Sequence, residues 1–163
     1  LCNTGLMLVR RRKMVVKGVN RIIVAVHDLE ASKAFYKELL GAEFCEANWT
    51  GEAFGIHVAI SWNAGIELCA PIPGRESDSF LAPMLKSRGE GILNVVFDFD
   101  DAEEPYARAK AMGIATVNTV NYTQDEIDAH LDGLFSRYKE YFLSTGSSTG
   151  YGITLGEFKA KDK

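Results

Sequence analysis

The sequence predicts an α+β fold assembled from two βαβββ modules. Residues 18–41 and 91–113 repeat one pattern: an apolar run, an acidic helix start, an amphipathic helix and a closing glycine. Laid on one another, they pair Arg21 with Asn94, Asp28 with Asp101, Ala34 with Ala107 and Lys37 with Lys110, each 73 positions apart, with a one-residue slip before Gly41 meets Gly113. Short β-branched segments follow each stretch. The 163 residues, 47% apolar and 25% charged, suit one soluble-type domain made of two halves.

Residues 19–26 are an apolar, β-branched run and read as a buried strand. Asp28 offers a helix cap, Ala34, Phe35, Leu39 and Leu40 form an apolar stripe, and Gly41 closes the helix. Strands are expected over 42–47, 55–62 and 65–70, the last two joined as a hairpin through Asn63-Ala64. Pro71 and Pro73 end the sheet, and 78–88 reads as a linking helix stopped by Gly89. The order then restarts with a strand over 93–99, a helix over 102–112 opened by Asp101, and a strand over 115–122. Thr123 and Glu126 have capping-box spacing, and Ile127, Leu131, Leu134 and Phe135 continue at helical spacing, predicting an inserted helix over 124–135. Strands over 138–143 and 151–158, joined by the loop 144–150, complete the second module. The expected organisation is a tail at 1–13 and a domain at 14–163, with modules 18–72 and 91–159 around the linking helix 78–88.

The formal charge is −4, but Arg10, Arg11, Arg12 and Lys13 crowd the leading segment; setting those four charges aside leaves −8 on the rest. An acidic body argues against a nucleic-acid partner. The leading segment has the reverse polarity of a secretory signal, and Met14 is a plausible start in sequence terms. No apolar run approaches the roughly 20 residues of a membrane span. Cys2, Cys45 and Cys69 are too few and scattered for a disulfide framework or zinc knuckle, which points to a reducing cytoplasm.

The segment Val19-Asn-Arg-Ile-Ile-Val-Ala-Val26, with Asp28-Leu29, Phe35-Tyr36 and Leu40-Gly41, resembles the opening module of the vicinal oxygen chelate superfamily of glyoxalases, methylmalonyl-CoA epimerases, extradiol dioxygenases and bleomycin-resistance proteins. Arg88-Gly-Glu-Gly-Ile92 leading into Val95-Val-Phe-Asp-Phe-Asp-Asp101 is most similar to the epimerase branch, and Ile66-Glu67-Leu68 resembles the fourth-strand signature. The resemblance covers about residues 18–158, apart from the inserted helix. It implies that the modules fold side by side into a curved, half-open mixed sheet, helices outside and ligand inside. A homodimer is a further expectation, since paired modules join either within a chain or across a dimer.

Metal-dependent members take a ligand from the first and fourth strand of each module. Carried over by position, these fall on Arg21, Glu67, Asn94 and Thr154. Arginine stays protonated and repels a cation, while asparagine and threonine are neutral oxygen donors. No metal and no other cofactor is therefore expected.

Strand alternation, starting from Arg21 pointing inward, puts Arg21, His57, Ser61, Glu67, Asn94, Asp98 and Thr154 on the inner surface, with Ile22, Val24 and Val26 under the helices and Ile56, Val58 and Ile60 also on the helix side. His57 and Glu67 are the candidate catalytic residues; Arg21, Ser61, Asn94, Asp98, Tyr151 and Thr154 are candidate ligand-binding residues. Arg21 reads either as the partner of Glu67 in a buried ion pair or as a fork for an oxyanion. His57 titrates near neutrality and suits acid–base work on an enolisable substrate, or is structural. The leading function is a metal-free cleft acting as an isomerase or lyase on a carboxylate or carbonyl compound. The alternative is a non-catalytic binding or sequestering protein of the resistance type, and a metal enzyme using His57, Glu67 and Glu157 is a third reading.

Overall fold

In the computed structural model, which describes residues 15–161, an eight-stranded mixed sheet curls into a half-barrel. The expected tail at 1–13 lies outside the described residues. The first module comprises β1 (Val16–Ala25), α1 (Leu29–Leu40), β2 (Cys45–Glu46), β3 (Ile56–Ser61) and β4 (Ile66–Pro71). After α2 (Leu81–Arg88), the second comprises β5 (Gly91–Phe99), α3 (Glu103–Ala111), β6 (Thr116–Asn121), α4 (Gln124–His130), β7 (Phe135–Leu143), α5 (Gly146–Thr149) and β8 (Gly152–Ala160). Strand order across the sheet is β2-β3-β4-β1-β5-β8-β7-β6.

The repeat in sequence becomes a repeat in pairing. In each module the first strand lies parallel to the fourth, β1 beside β4 and β5 beside β8, and the remaining pairs are antiparallel. Parallel neighbours need a long crossover, and each begins with a helix. Asp28 caps α1 by accepting from the Ala31 N–H, and Gly41 ends it at φ 66°, a left-handed conformation that suits glycine. The modules join within the chain: β1 and β5 run antiparallel, bringing Arg21 opposite Val96 and Ile23 opposite Asn94.

Two apolar clusters lie outside the sheet and one inside it. Val24, Val26, Ile66, Leu68 and Ala70 pack with Leu29 and Tyr36 of the α1 region. Phe99, Ala102, Ala109, Tyr141, Leu143 and Leu155 pack around α3. The inner cluster joins Ile23, Ile56, Val58, Ile60, Val96, Tyr138 and Phe158 to Leu81 and Leu85 of α2 and Ile127 and Leu131 near α4. α4 therefore packs into the concave side rather than standing clear of the body, and His130 at its end stacks on Trp49 of the first module at 4.4 Å.

The inserted helix is shorter than its apolar spacing implies. The Thr123–Glu126 capping box forms, but α4 ends at His130, and Asp132 and Gly133 turn the chain with φ of 51° and 61°. Phe135 consequently opens β7 instead of closing α4. The loop 144–150 contains the single-turn α5.

Candidate functional site

The concave face holds a cavity of about 470 Å³, within the range of small-molecule sites. Arg21 lies at its polar end and is 2% exposed. Nε donates to Glu67 Oε2 at 2.6 Å, Nη2 to Glu140 Oε1 at 2.9 Å and to the Tyr138 hydroxyl oxygen at 3.0 Å, and Nη1 to Asn20 Oδ1 at 3.0 Å. Four of its five donors are thereby engaged by protein. Trp62 and Phe158 flank the guanidinium, with ring centroids 5.5 and 5.6 Å away.

This cluster sets the electrostatics. Burial opposes the charge on Arg21, but Glu140, Tyr138 and Glu67 outweigh it and hold its pKa above the ordinary arginine value. Burial pushes the Glu140 carboxyl up; Arg21 pulls it down, and repulsion from Glu67 adds to the rise. Two carboxylates share one cation, and burial makes Glu140 protonate more readily than usual. Among the described residues Glu67 Oε1 accepts one hydrogen bond, a long one of 3.9 Å from the Cys69 thiol. Burial and Glu67 raise the Cys69 pKa, which keeps it a thiol and a poor nucleophile.

Asn94, on β5, donates from Nδ2 to Thr154 Oγ1 at 3.0 Å. The neighbouring strand makes room for it: a Cβ at Gly152 would lie 2.4 Å from that nitrogen. Thr154 is fully buried beneath Asn94 and does not line the cavity.

Arg21, Glu67 and Asn94 thus come together at the wall with Thr154 behind Asn94, but the other four candidates sit elsewhere. On β3 the cavity takes Ile56, Val58 and Ile60, reversing the expected orientation of His57 and Ser61. The cross-strand register explains it: His57 lies opposite Ala70 and Ser61 opposite Ile66, both in the outer cluster, whereas Ile60 faces Glu67 and Val58 faces Cys69. Directly opposed residues share a face. Ser61 hydrogen-bonds Asn63 at 2.7 Å. Asp98 sits towards the far end of β5, paired with Lys17 at 3.0 Å, with Oδ1 buried and unpartnered among the described residues. Tyr151 lines a separate cavity of about 280 Å³ with Met84, Arg88 and Glu90.

Glu140 and Tyr138 were not among the sequence candidates. The resemblance directs attention to the first and fourth strands of each module, and these residues lie on β7, the third strand of the second module. The signal available was a lone carboxylate in the aromatic run Tyr138-Lys-Glu-Tyr-Phe142.

The donor set does not fit a divalent metal. Arg21 puts a positive charge beside Glu67, and Glu157 pairs outside with Lys159 at 2.9 Å, so His57, Glu67 and Glu157 do not converge. Among the described residues no group of three or more His, Cys, Asp or Glu side chains is arranged to hold a metal ion.

A family model for the Glyoxalase/Bleomycin resistance protein/Dioxygenase superfamily matches residues 18–126. The fold resembles methylmalonyl-CoA epimerase from Mycobacterium tuberculosis, with a TM-score of 0.67 and 24% identity over 91% of this chain and 92% of that one. It also resembles a Streptomyces coelicolor methylmalonyl-CoA epimerase in complex with 2-nitronate-propionyl-CoA, with a TM-score of 0.65 and 21% identity over 88% and 98% of the two chains. A hypothetical protein from Bacillus halodurans C-125 superposes with a TM-score of 0.65 and 21% identity over 89% and 96%. At these identities the likeness is one of fold. No curated protein matches the chain.

Proposed function

The chain belongs to the Glyoxalase/Bleomycin resistance protein/Dioxygenase superfamily, and on that footing we propose that its cavity binds a small carbonyl or carboxylate compound and isomerises or cleaves it without a metal ion. The observation that carries this is the Arg21 guanidinium held by Glu67, Glu140 and Tyr138 at the polar end of a largely apolar cavity. Arg21 supplies the positive charge that a cation supplies elsewhere, and it fixes the Glu67 carboxylate through Oε2.

Glu67 Oε1 is then the base. The C–H bond next to the substrate carbonyl breaks, its proton passes to Glu67, and the electron pair moves onto the carbonyl oxygen. Returning the proton from Glu67 to a conjugated carbon on the same side gives an isomer; expelling a β-leaving group instead gives a lyase product. Asn94 borders the same space and orients the substrate. His57 and Ser61, on the outer face of β3, take no part in this step. The same proposal makes the chain a cytoplasmic protein that pairs with a second copy. Phe35, Leu39 and Leu40 stand exposed along α1, a surface such pairing covers.

The second reading is sequestration, favoured by the completeness of the Arg21 network, which leaves one donor for a ligand. The epimerases act by name on methylmalonyl-CoA, so that ester, pyruvate and 2-tetralone form a suitable first panel. Deuterium incorporation next to the carbonyl is followed by NMR in D2O with EDTA present. Exchange above the buffer rate, lost in Glu67→Gln while binding persists, is the expected result. Binding without exchange favours sequestration, and exchange that requires an added divalent ion contradicts metal independence.

A further inference from the structure

The cavity carries its own statement about ligand charge. Its wall is built from buried Ile23, Ile56, Val58 and Ile60. Its border includes Phe54, Phe80 and Val117, which remain 49%, 59% and 71% exposed. Exposed apolar side chains around a concave site mark a surface that an apolar ligand covers. At the polar end, Arg21 is the only cation in the lining among the described residues, against the two carboxylates of Glu67 and Glu140. Four of the five Arg21 donors are already engaged. A ligand carboxylate or phosphate entering here would meet two like charges in a low-dielectric setting and find almost no free donor.

We infer that the ligand is an uncharged carbonyl compound with an apolar, ring-sized body, and that free carboxylates and phosphorylated compounds are rejected. This rests on the proposal that the cavity binds a small molecule, and narrows it. The apolar body lies along the isoleucines and extends between Phe54, Phe80 and Val117. The carbonyl oxygen meets neutral donors at the polar end. Tyr122 lines the cavity, and its hydroxyl has no hydrogen bond to protein among the described residues. Burial raises its pKa, so the phenol stays in the protonated, donating form beside the Asn94 amide that borders the same space. Neutral donors facing an oxygen that gains charge stabilise it as proton transfer proceeds.

The test is a matched pair of probes, 2-tetralone and tetralin-2-carboxylate, titrated into the full chain at pH 7.5 by calorimetry. The ketone is expected to bind at least tenfold more tightly. Glu140→Gln, which leaves one carboxylate for one guanidinium, is expected to reduce that preference severalfold by improving carboxylate binding. Phe80→Ser, at the exposed border where folding is not at stake, is expected to weaken the ketone severalfold. Equal or tighter binding of the carboxylate overturns the inference while leaving small-molecule binding intact. Failure of both probes at millimolar concentration, together with no binding of methylmalonyl-CoA or pyruvate, overturns the binding proposal itself.

Discussion

Arg21 and Glu67 are 46 residues apart in sequence and joined by a 2.6 Å bond from Nε to Oε2. Their strands are parallel neighbours with Ile23 opposite Glu67, so the guanidinium reaches diagonally by one pleat on the same face. The bond is a product of the module's topology, which sets the first strand beside the fourth. Glu140 then closes on the guanidinium from the second module.

Removing the cation leaves two buried carboxylates uncompensated. Arg21→Met is expected to destabilise the fold by about 3–5 kcal/mol, the usual cost of breaking a buried ion pair from one side. Combining it with Glu67→Leu and Glu140→Leu is expected to recover most of that loss. Urea unfolding of the single and triple variants checks both.

Glu140 gives stability a definite pH dependence. Its folded pKa is raised above 4.5 by burial, so between that value and the folded pKa the native state holds more protons than the unfolded one. Stability from this group is full below about pH 4.5 and falls as pH rises towards the folded pKa. Glu140→Gln is expected to flatten that decline, measured as Tm against pH from 4.5 upward in both proteins.

Gly152 is required by its neighbour. A methyl group there would overlap Asn94, whose Nδ2 and Cγ lie 2.4 and 2.7 Å from the Cβ position. Gly152→Ala is expected to swing Asn94 off Thr154, to cost about 1–3 kcal/mol, and to weaken probe binding. A crystal structure of the variant shows the displaced amide directly.

His57 faces the outer layer opposite Ala70. His57→Ala is therefore expected to leave 2-tetralone affinity and Glu67-dependent exchange within about twofold of the parent, a change of less than 0.5 kcal/mol. A larger loss would return this histidine to the site.

The sequence carried the architecture because its punctuation was explicit. Asp28 and Gly41 bracket α1, and the repeat fixed the order of elements in the second module. Strand orientation was legible on β1 and β4, where Arg21 and Glu67 stand out against apolar neighbours. On β3 it was not, because the cavity wall is as apolar as the outer core: Ile56, Val58 and Ile60 look like residues meant for a helix, and only the register with β4 assigns them to the cavity side. α4 was overextended because Leu131, Leu134 and Phe135 keep helical spacing through a left-handed turn. Glu140 stayed hidden because β7 gave no polar alternation, with Lys139 and Tyr141 bonding Glu103 on the other face.

The Arg21 guanidinium organises this cavity from the position where the family resemblance would put a metal ligand. Elemental analysis of the full chain, purified without chelator and then equilibrated with zinc, cobalt or manganese, tests it most directly. Far less than one equivalent of metal per chain is expected, with no difference between the parent and Glu67→Gln. One equivalent retained by the parent and lost in Glu67→Gln would contradict it.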